Sequence, residues 1–166
     1  ANAFRVLSSV FLKAGLKLTY TTLASIVKYP VDSTHGFDKS TGIVSTKKSG
    51  YFDAELPVMK EMANDLDLTY LDREKNLLAR HPFVFLVEAA DDICYRIIDL
   101  EDAYRLHILS FDEVAKLLIP FFEGEANEAY INEQMVAMTN EKQKLSLLRA
   151  MLIGLLTRKC SEAFMA

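Results

Sequence analysis

Three residues at helical spacing form the strongest candidate for chemistry in the chain. Asp91, Tyr95 and Asp99 occupy every fourth position of a stretch that has no glycine and no proline after Pro82. At about 100° per residue, this spacing places the three side chains in one column along a helix. Carboxylates are the oxygen ligands that hard divalent cations prefer, so the column could contribute to a metal site. We call these three residues the acidic column.

Two interpretations of the acidic column stay open on spacing alone. The column lies nearly opposite an apolar stripe, as acids on a water-facing helix do. However, it contains no lysine that could pair with its acids, and further apolar residues widen the stripe on one side. That widening predicts burial on several sides, which is typical of a helix that lines a metal-containing cavity. The stripe consists of Leu86, Ala90, Ile93, Ile97, Leu100 and Tyr104. The residues that widen it are Phe83, Val87, Cys94 and Ile98.

Composition sets the class of protein. A chain of 166 residues can bury one good core. Its net charge of −4, from 19 basic and 23 acidic residues, does not indicate sequence-independent binding to nucleic acid. A mean hydropathy of +0.10 predicts apolar surface that is buried against a second copy or a missing segment.

Cysteine usage and the length of apolar runs indicate the compartment. Cys94 and Cys160 alone do not make a disulfide framework, so we expect a cytoplasmic protein. No apolar run reaches the roughly 18 residues that a membrane span needs. The sequence begins without methionine inside a helical pattern, and we therefore expect a piece of a longer protein.

Caps and helical spacing predict an all-α region over residues 1–166. Thr19, a Ser110/Glu113 capping box and Asn140 mark helix starts, and Pro57 is compatible with a first turn. No strand-like alternation extends over five residues, whereas residues 30–52 are typical of a long binding loop or lid. The predicted helices cover 4–11, 20–28, 53–66, 82–108, 114–122, 127–138 and 141–166.

Three ordered stretches resemble one enzyme family. EAADDICYRIIDLEDA, residues 88–103, resembles the last signature of the HD-domain deoxynucleoside triphosphate triphosphohydrolases, the dGTPase-like family. GLKLTYTTLASIVKYP, residues 15–30, and KKSGYF, residues 47–52, resemble two further stretches in the same order. The resemblance covers about residues 2–162. It implies the helical part of an HD-domain phosphohydrolase fold, in the middle of a longer enzyme.

The resemblance also implies a role for each member of the acidic column. Asp91 would be the last ligand of a divalent metal, Mn²⁺, Mg²⁺ or another transition metal. The unbroken Asp-x3-Tyr-x3-Asp pattern favours Asp91 over Asp92. Tyr95 would pack on the deoxyribose, and Asp99 would bind the 3′-hydroxyl. The family's other ligands, a histidine and a His-Asp doublet, have no counterpart in this sequence.

Several cations are implied as phosphate contacts. The resemblance assigns the triphosphate to Lys28, Tyr29 and one of Lys47 and Lys48, while solvated surface lysines are the ordinary alternative. Two interpretations of Arg149 stay open. It contacts phosphate or an effector, or it is an ordinary arginine on a helix surface.

The implied activity is hydrolysis of a dNTP, with dGTP the first candidate, to the deoxynucleoside and inorganic tripolyphosphate. The family also implies a homo-oligomer and a nucleotide effector. One alternative is a non-catalytic helical module for assembly or nucleotide sensing. Another is an HD phosphohydrolase that acts on a different nucleotide.

Overall fold

A computed structural model describes residues 1–8, 16–35 and 42–166, without the side chain of Val44. The described chain forms two compact units, Ala1–Val87 and Glu88–Ala166. Parts of the predicted helix 4–11 and of the predicted loop 30–52 lie outside the described residues. The assignment of residues 1–166 to a single all-α region in the middle of a longer enzyme stays a prediction. The helices are α1 Asn2–Ser8, α2 Tyr20–Ser25, α3 Leu56–Asp65, α4 Phe83–Arg105, α5 Phe111–Leu118, α6 Glu128–Ala137 and α7 Glu141–Met165.

The first unit is built on packing of α2 against α1 and α3. Thr19 caps α2 as predicted, since its hydroxyl accepts a hydrogen bond from the backbone N–H of Thr22. Pro57 lies in the first turn of α3, where its missing N–H costs no helical hydrogen bond. The core comprises Phe4, Leu23, Ala24, Val27, Tyr51, Met59, Met62, Ala63 and Leu78.

A short hairpin in the first unit differs from the prediction. Residues Tyr70–Asp72 form strand β1, which pairs antiparallel with β2, Leu77–Leu78. Strands this short carry too few alternating positions to show a period of two. Asp72 accepts hydrogen bonds from the backbone N–H groups of Glu74 and Lys75, which closes the turn. The predicted helical class is nevertheless confirmed, because this hairpin is small.

The second unit packs α5, α6 and the C-terminal part of α4 around α7. Ser110 and Glu113 form the predicted capping box at the start of α5, and the Asn140 side chain caps α7. The apolar side of α7 supplies nearly half of this core. The core comprises Ile97, Val114, Leu118, Phe122, Ile131, Leu145, Leu148, Leu152 and Leu155. Throughout the described ranges, every helix is too short or too polar to cross a membrane.

Candidate functional site

The segment after α2 presents Lys28 and Tyr29 at a tight turn. Lys28 is exposed, and its ammonium lies 5.9 Å from the centroid of the Tyr29 ring. The backbone N–H of Val31 donates to the Tyr29 carbonyl at 2.8 Å, and Pro30 accepts from the N–H of Leu78 at 3.0 Å. Backbone hydrogen bonds therefore hold this turn against the hairpin.

Gly50 joins this turn to the segment that carries Lys47 and Lys48. Its backbone N–H donates to the Val31 carbonyl at 3.0 Å. A β-carbon at Gly50 would lie 2.9 Å from Val27 Cγ1 and would overlap the Tyr29 carbonyl. Glycine is thus required for the close approach. Lys47 and Lys48 are both exposed, so the choice between them stays open.

A buried carboxylate braces the same region, and sequence reasoning missed it. Asp32 pairs with Tyr51 in an isolated β-bridge and is 0% exposed. It accepts hydrogen bonds from Thr34 N at 2.7 Å, Thr34 Oγ1 at 2.5 Å and Asn76 Nδ2 at 3.2 Å. Burial alone would raise the pKa of Asp32, but hydrogen bonds from Thr34, His35 and Asn76 lower it to about 2. In the sequence, only the Asp-x-Thr pattern of residues 32–34, which is typical of a turn, could have predicted part of this arrangement.

The acidic column lies on the solvent-exposed side of α4. Asp91, Tyr95 and Asp99 are all exposed, and Tyr95 is 63% exposed. On the opposite side Ile97 is buried in the second core, with Ile93 packed beside it. The helix and its register therefore agree with the prediction, and the three side chains are accessible to a ligand.

The predicted burial on several sides of α4 does not occur among the described residues. Cys94 is exposed, and Phe83, Val87 and Ile98 are each more than 40% exposed. Only the narrow stripe around Ile97 packs on the second core. The physical reason is that one helix face suffices to close that core, so Cys94 and Ile98 on the widened side stay exposed among the described residues.

The described residues fit a metal only as part of a larger ligand set. Within ranges 1–8, 16–35 and 42–166, no three His, Cys, Asp or Glu side chains lie close enough together to hold a metal ion. Asp91 is one exposed carboxylate, and a catalytic metal needs several fixed ligands. Its role as a ligand stays a prediction.

Arg149 forms an ion pair that the sequence did not indicate. Its guanidinium Nη1 donates to Oε2 of Glu101, a side chain only 7% exposed, and thereby joins α7 to α4. Arg105 donates to Oε1 of the same carboxylate at 2.6 Å. A nearly buried carboxylate is thus neutralised by two arginines. The contact of Arg149 with phosphate or effector stays a prediction.

Comparison with known proteins identifies the family. The chain is 36% identical over 171 aligned positions, 99% of its length, to a deoxyguanosinetriphosphate triphosphohydrolase-like protein of Pseudomonas aeruginosa. A protein of the same name from Synechocystis is 36% identical over 77% of the chain. The chain belongs to the deoxyguanosinetriphosphate triphosphohydrolase-like family. This confirms the family resemblance seen in the three sequence stretches.

The match covers only part of each relative. The chain spans 36% of the Pseudomonas protein and 30% of the Synechocystis protein. It spans 21% of the deoxyguanosinetriphosphate triphosphohydrolase of Yersinia pestis, to which it is 34% identical over 69% of its own length. No family model matches the chain. Membership of a hydrolase family is thus established for this segment, whereas its reaction requires a separate argument.

Proposed function

We propose that this chain forms the sugar- and phosphate-binding part of a metal-dependent dNTP triphosphohydrolase, with dGTP as the first candidate substrate. The observation that carries the proposal is the exposed acidic column, Asp91, Tyr95 and Asp99, in a chain whose relatives bear that activity in their names. An exposed column of two acids and one ring suits a ligand that combines a cation with a sugar.

Each member of the acidic column has a distinct part in this proposal. Asp91 would supply one carboxylate to a divalent metal, Mn²⁺ or Mg²⁺. Such a metal provides a water nucleophile at neutral pH. Tyr95, one helical turn further along, presents an exposed ring against which a deoxyribose can pack. Asp99, two turns beyond Asp91, can accept a hydrogen bond from the 3′-hydroxyl.

The cations of the first unit would bind the triphosphate. Lys28 and one of Lys47 and Lys48 are exposed, and Gly50 ties the two segments together through backbone contacts. Several cations on one braced surface can neutralise a polyanion without first ordering a free loop. Tyr29 would add a hydroxyl donor beside Lys28.

The remaining ligands of the metal would come from a histidine and a His-Asp doublet outside this sequence. The complete enzyme would be a cytoplasmic homo-oligomer that responds to a nucleotide effector. The large exposed apolar side chains, among them Phe85, Leu106, Phe121 and Val136, are consistent with further burial in such an assembly. No described residue of this chain is assigned to the effector, apart from the prediction for Arg149.

Product analysis tests the proposal. We expect the protein that contains this chain together with the histidine ligands to convert dGTP into deoxyguanosine and tripolyphosphate in equal amounts, when supplied with Mn²⁺ or Mg²⁺. Phosphorus NMR distinguishes tripolyphosphate from pyrophosphate and orthophosphate. Residues 1–166 alone should show no turnover, because Asp91 is a single ligand. Release of pyrophosphate and dGMP would contradict the proposed reaction.

A non-catalytic helical module is the second candidate. It is favoured by one observation, the lack of a complete metal-ligand set among the described residues. Such a module would have lost the part that supplies the histidine ligands, and it would serve in assembly or bind dGTP as a sensor without turnover. Measuring binding and product release on the same preparation separates the two functions.

A further inference from the structure

His35 is held by Asp32 in a geometry that the proposed function does not yet use. Its Nδ1 lies 2.9 Å from Oδ2 and 3.0 Å from Oδ1 of that carboxylate. The Asp32 side chain is 1% exposed and the His35 side chain 37% exposed. An ionised carboxylate only accepts hydrogen bonds, so Nδ1 of His35 is the donor. The imidazole is therefore fixed at one nitrogen, while no described residue forms a hydrogen bond with its other nitrogen, Nε2.

The Asp32 carboxylate is well suited to orienting the imidazole. It also accepts from Thr34 and Asn76, whose side chains are neutral, and from the backbone N–H of His35 itself. Asp32 thus remains ionised while it is shielded from water. A carboxylate that holds Nδ1–H sets the tautomer and the direction of the ring, as in metal-bound and catalytic histidines. Protonation of the ring would make Nε2 a second donor with a positive charge.

The position of His35 connects it with the phosphate-binding segments. Asp32 forms its β-bridge with Tyr51, three residues after Lys48. The preceding residue, Val31, accepts from the N–H of Gly50. The imidazole therefore belongs to the same braced loop assembly of the first unit that presents Lys28 and Lys48.

We propose that His35, positioned by Asp32, is an additional binding residue for the anionic phosphate chain of a nucleoside triphosphate. The inference rests on the proposed function, since it extends the set of cations on the first unit. In the imidazolium form, Nδ1–H donates to Asp32 and Nε2–H donates to a phosphate oxygen, so Asp32 orients the ring without contacting the ligand itself.

Binding of inorganic tripolyphosphate to the complete protein tests this role by calorimetry at pH 6. The informative variant is His35→Asn. The amide nitrogen of asparagine can take the place of Nδ1 and donate to Asp32, but the side chain has no group in the position of Nε2. We expect it to weaken tripolyphosphate binding about three- to tenfold, the effect of one charge-assisted hydrogen bond at a half-exposed site. Binding of deoxyguanosine, which has no phosphate, should not change. The matched control, His107→Asn in the second unit, should leave both affinities unchanged.

A second measurement guards against a folding defect in the variant. In the unmodified protein, the imidazole NMR signals of His35 should shift on addition of tripolyphosphate and not on addition of deoxyguanosine. Unchanged His35 signals, or a His35→Asn protein that binds tripolyphosphate as tightly as the unmodified one, would overturn the inference. An equal loss of affinity for deoxyguanosine in the His35→Asn protein would also overturn the inference.

The Lys28→Ala variant separates this inference from the proposed function. If Lys28→Ala weakens tripolyphosphate binding and His35→Asn does not, only the role of His35 fails. If the unmodified protein does not bind tripolyphosphate, the phosphate-binding function of the first unit fails together with the inference.

Discussion

The loops of the first unit and the acidic column of α4 hold their side chains in place by different means. Between α2 and α3, contacts between residues far apart in sequence set the positions, as with Gly50 against Tyr29 and Asp32 against Asn76. On α4, the period of the helix alone aligns Asp91 with Asp99. Tertiary contacts therefore position the side chains of these loops, whereas helical periodicity positions those of the acidic column. Mutations should affect the stability of the two regions very differently.

The largest effect on stability is expected for Gly50→Ala. The added methyl group would overlap the Tyr29 carbonyl, which is backbone and cannot move aside without breaking the turn. We expect the free energy of unfolding to fall by about 3 kcal/mol, the upper range for overpacking. Urea unfolding of the variant and the unmodified protein measures this loss.

Gly154→Ala is the matched control for that substitution. A β-carbon at Gly154, within α7, would meet no atom within 4 Å. Alanine is favoured over glycine inside a helix by about 1 kcal/mol, so this variant should be slightly more stable. If both variants changed stability alike, the close approach at Gly50 would not be the bracing contact.

The loops of the first unit and the acidic column of α4 also differ in how far the sequence predicted them. Helical period and caps such as Ser110 are local signals, and they predicted α4, α5, α7 and the alignment of the acidic column. The Gly50 contact and the hydrogen bond from Asn76 to Asp32 depend on residues that meet only in the fold, and no local pattern encodes such contacts. The strands of the hairpin are too short to show a period of two. The predicted burial around Cys94 was wrong for the described residues, because apolar residues indicate a surface that can be covered without indicating what covers it.

A smaller effect is expected for the ion pair of Glu101 and Arg149. Glu101→Gln should lower the free energy of unfolding by about 2 kcal/mol, less than for a fully buried pair because Arg149 is 37% exposed. Arg149→Gln should cost a similar amount, and the double variant should cost less than the sum of the two. If Arg149→Gln raises KM for dGTP and Glu101→Gln does not, Arg149 contacts the triphosphate of the substrate.

The smallest effect on stability is expected in the acidic column itself. Tyr95→Ala and Asp99→Ala should each change the free energy of unfolding by less than about 0.5 kcal/mol, because both side chains are exposed. Both substitutions should instead change the selectivity among nucleotide substrates. If the Tyr95 ring packs on the deoxyribose as proposed, it leaves no room for a 2′-hydroxyl, and Tyr95→Ala should therefore admit GTP. Asp99→Ala should erase the preference for dGTP over 2′,3′-dideoxy-GTP, a loss of about 1–3 kcal/mol.

Measurement of kcat/KM for dGTP, GTP and 2′,3′-dideoxy-GTP in each variant decides this point. If both substitutions lower all three values by the same factor, the acidic column does not distinguish sugars. A loss of several kcal/mol in stability would show that the column is part of the structural framework, as the loops of the first unit are.

Two adjacent aspartates on α4 provide the most direct test of the metal site. Asp91 and Asp92 are both exposed, so neither substitution by asparagine should impair folding. In the complete protein, Asp91→Asn should lower the bound metal, measured by mass spectrometry, and abolish release of tripolyphosphate from dGTP. Asp92→Asn should retain most of the metal and of the activity. Equal losses at the two positions, or a larger loss for Asp92→Asn, would contradict the assignment of Asp91 as the metal ligand.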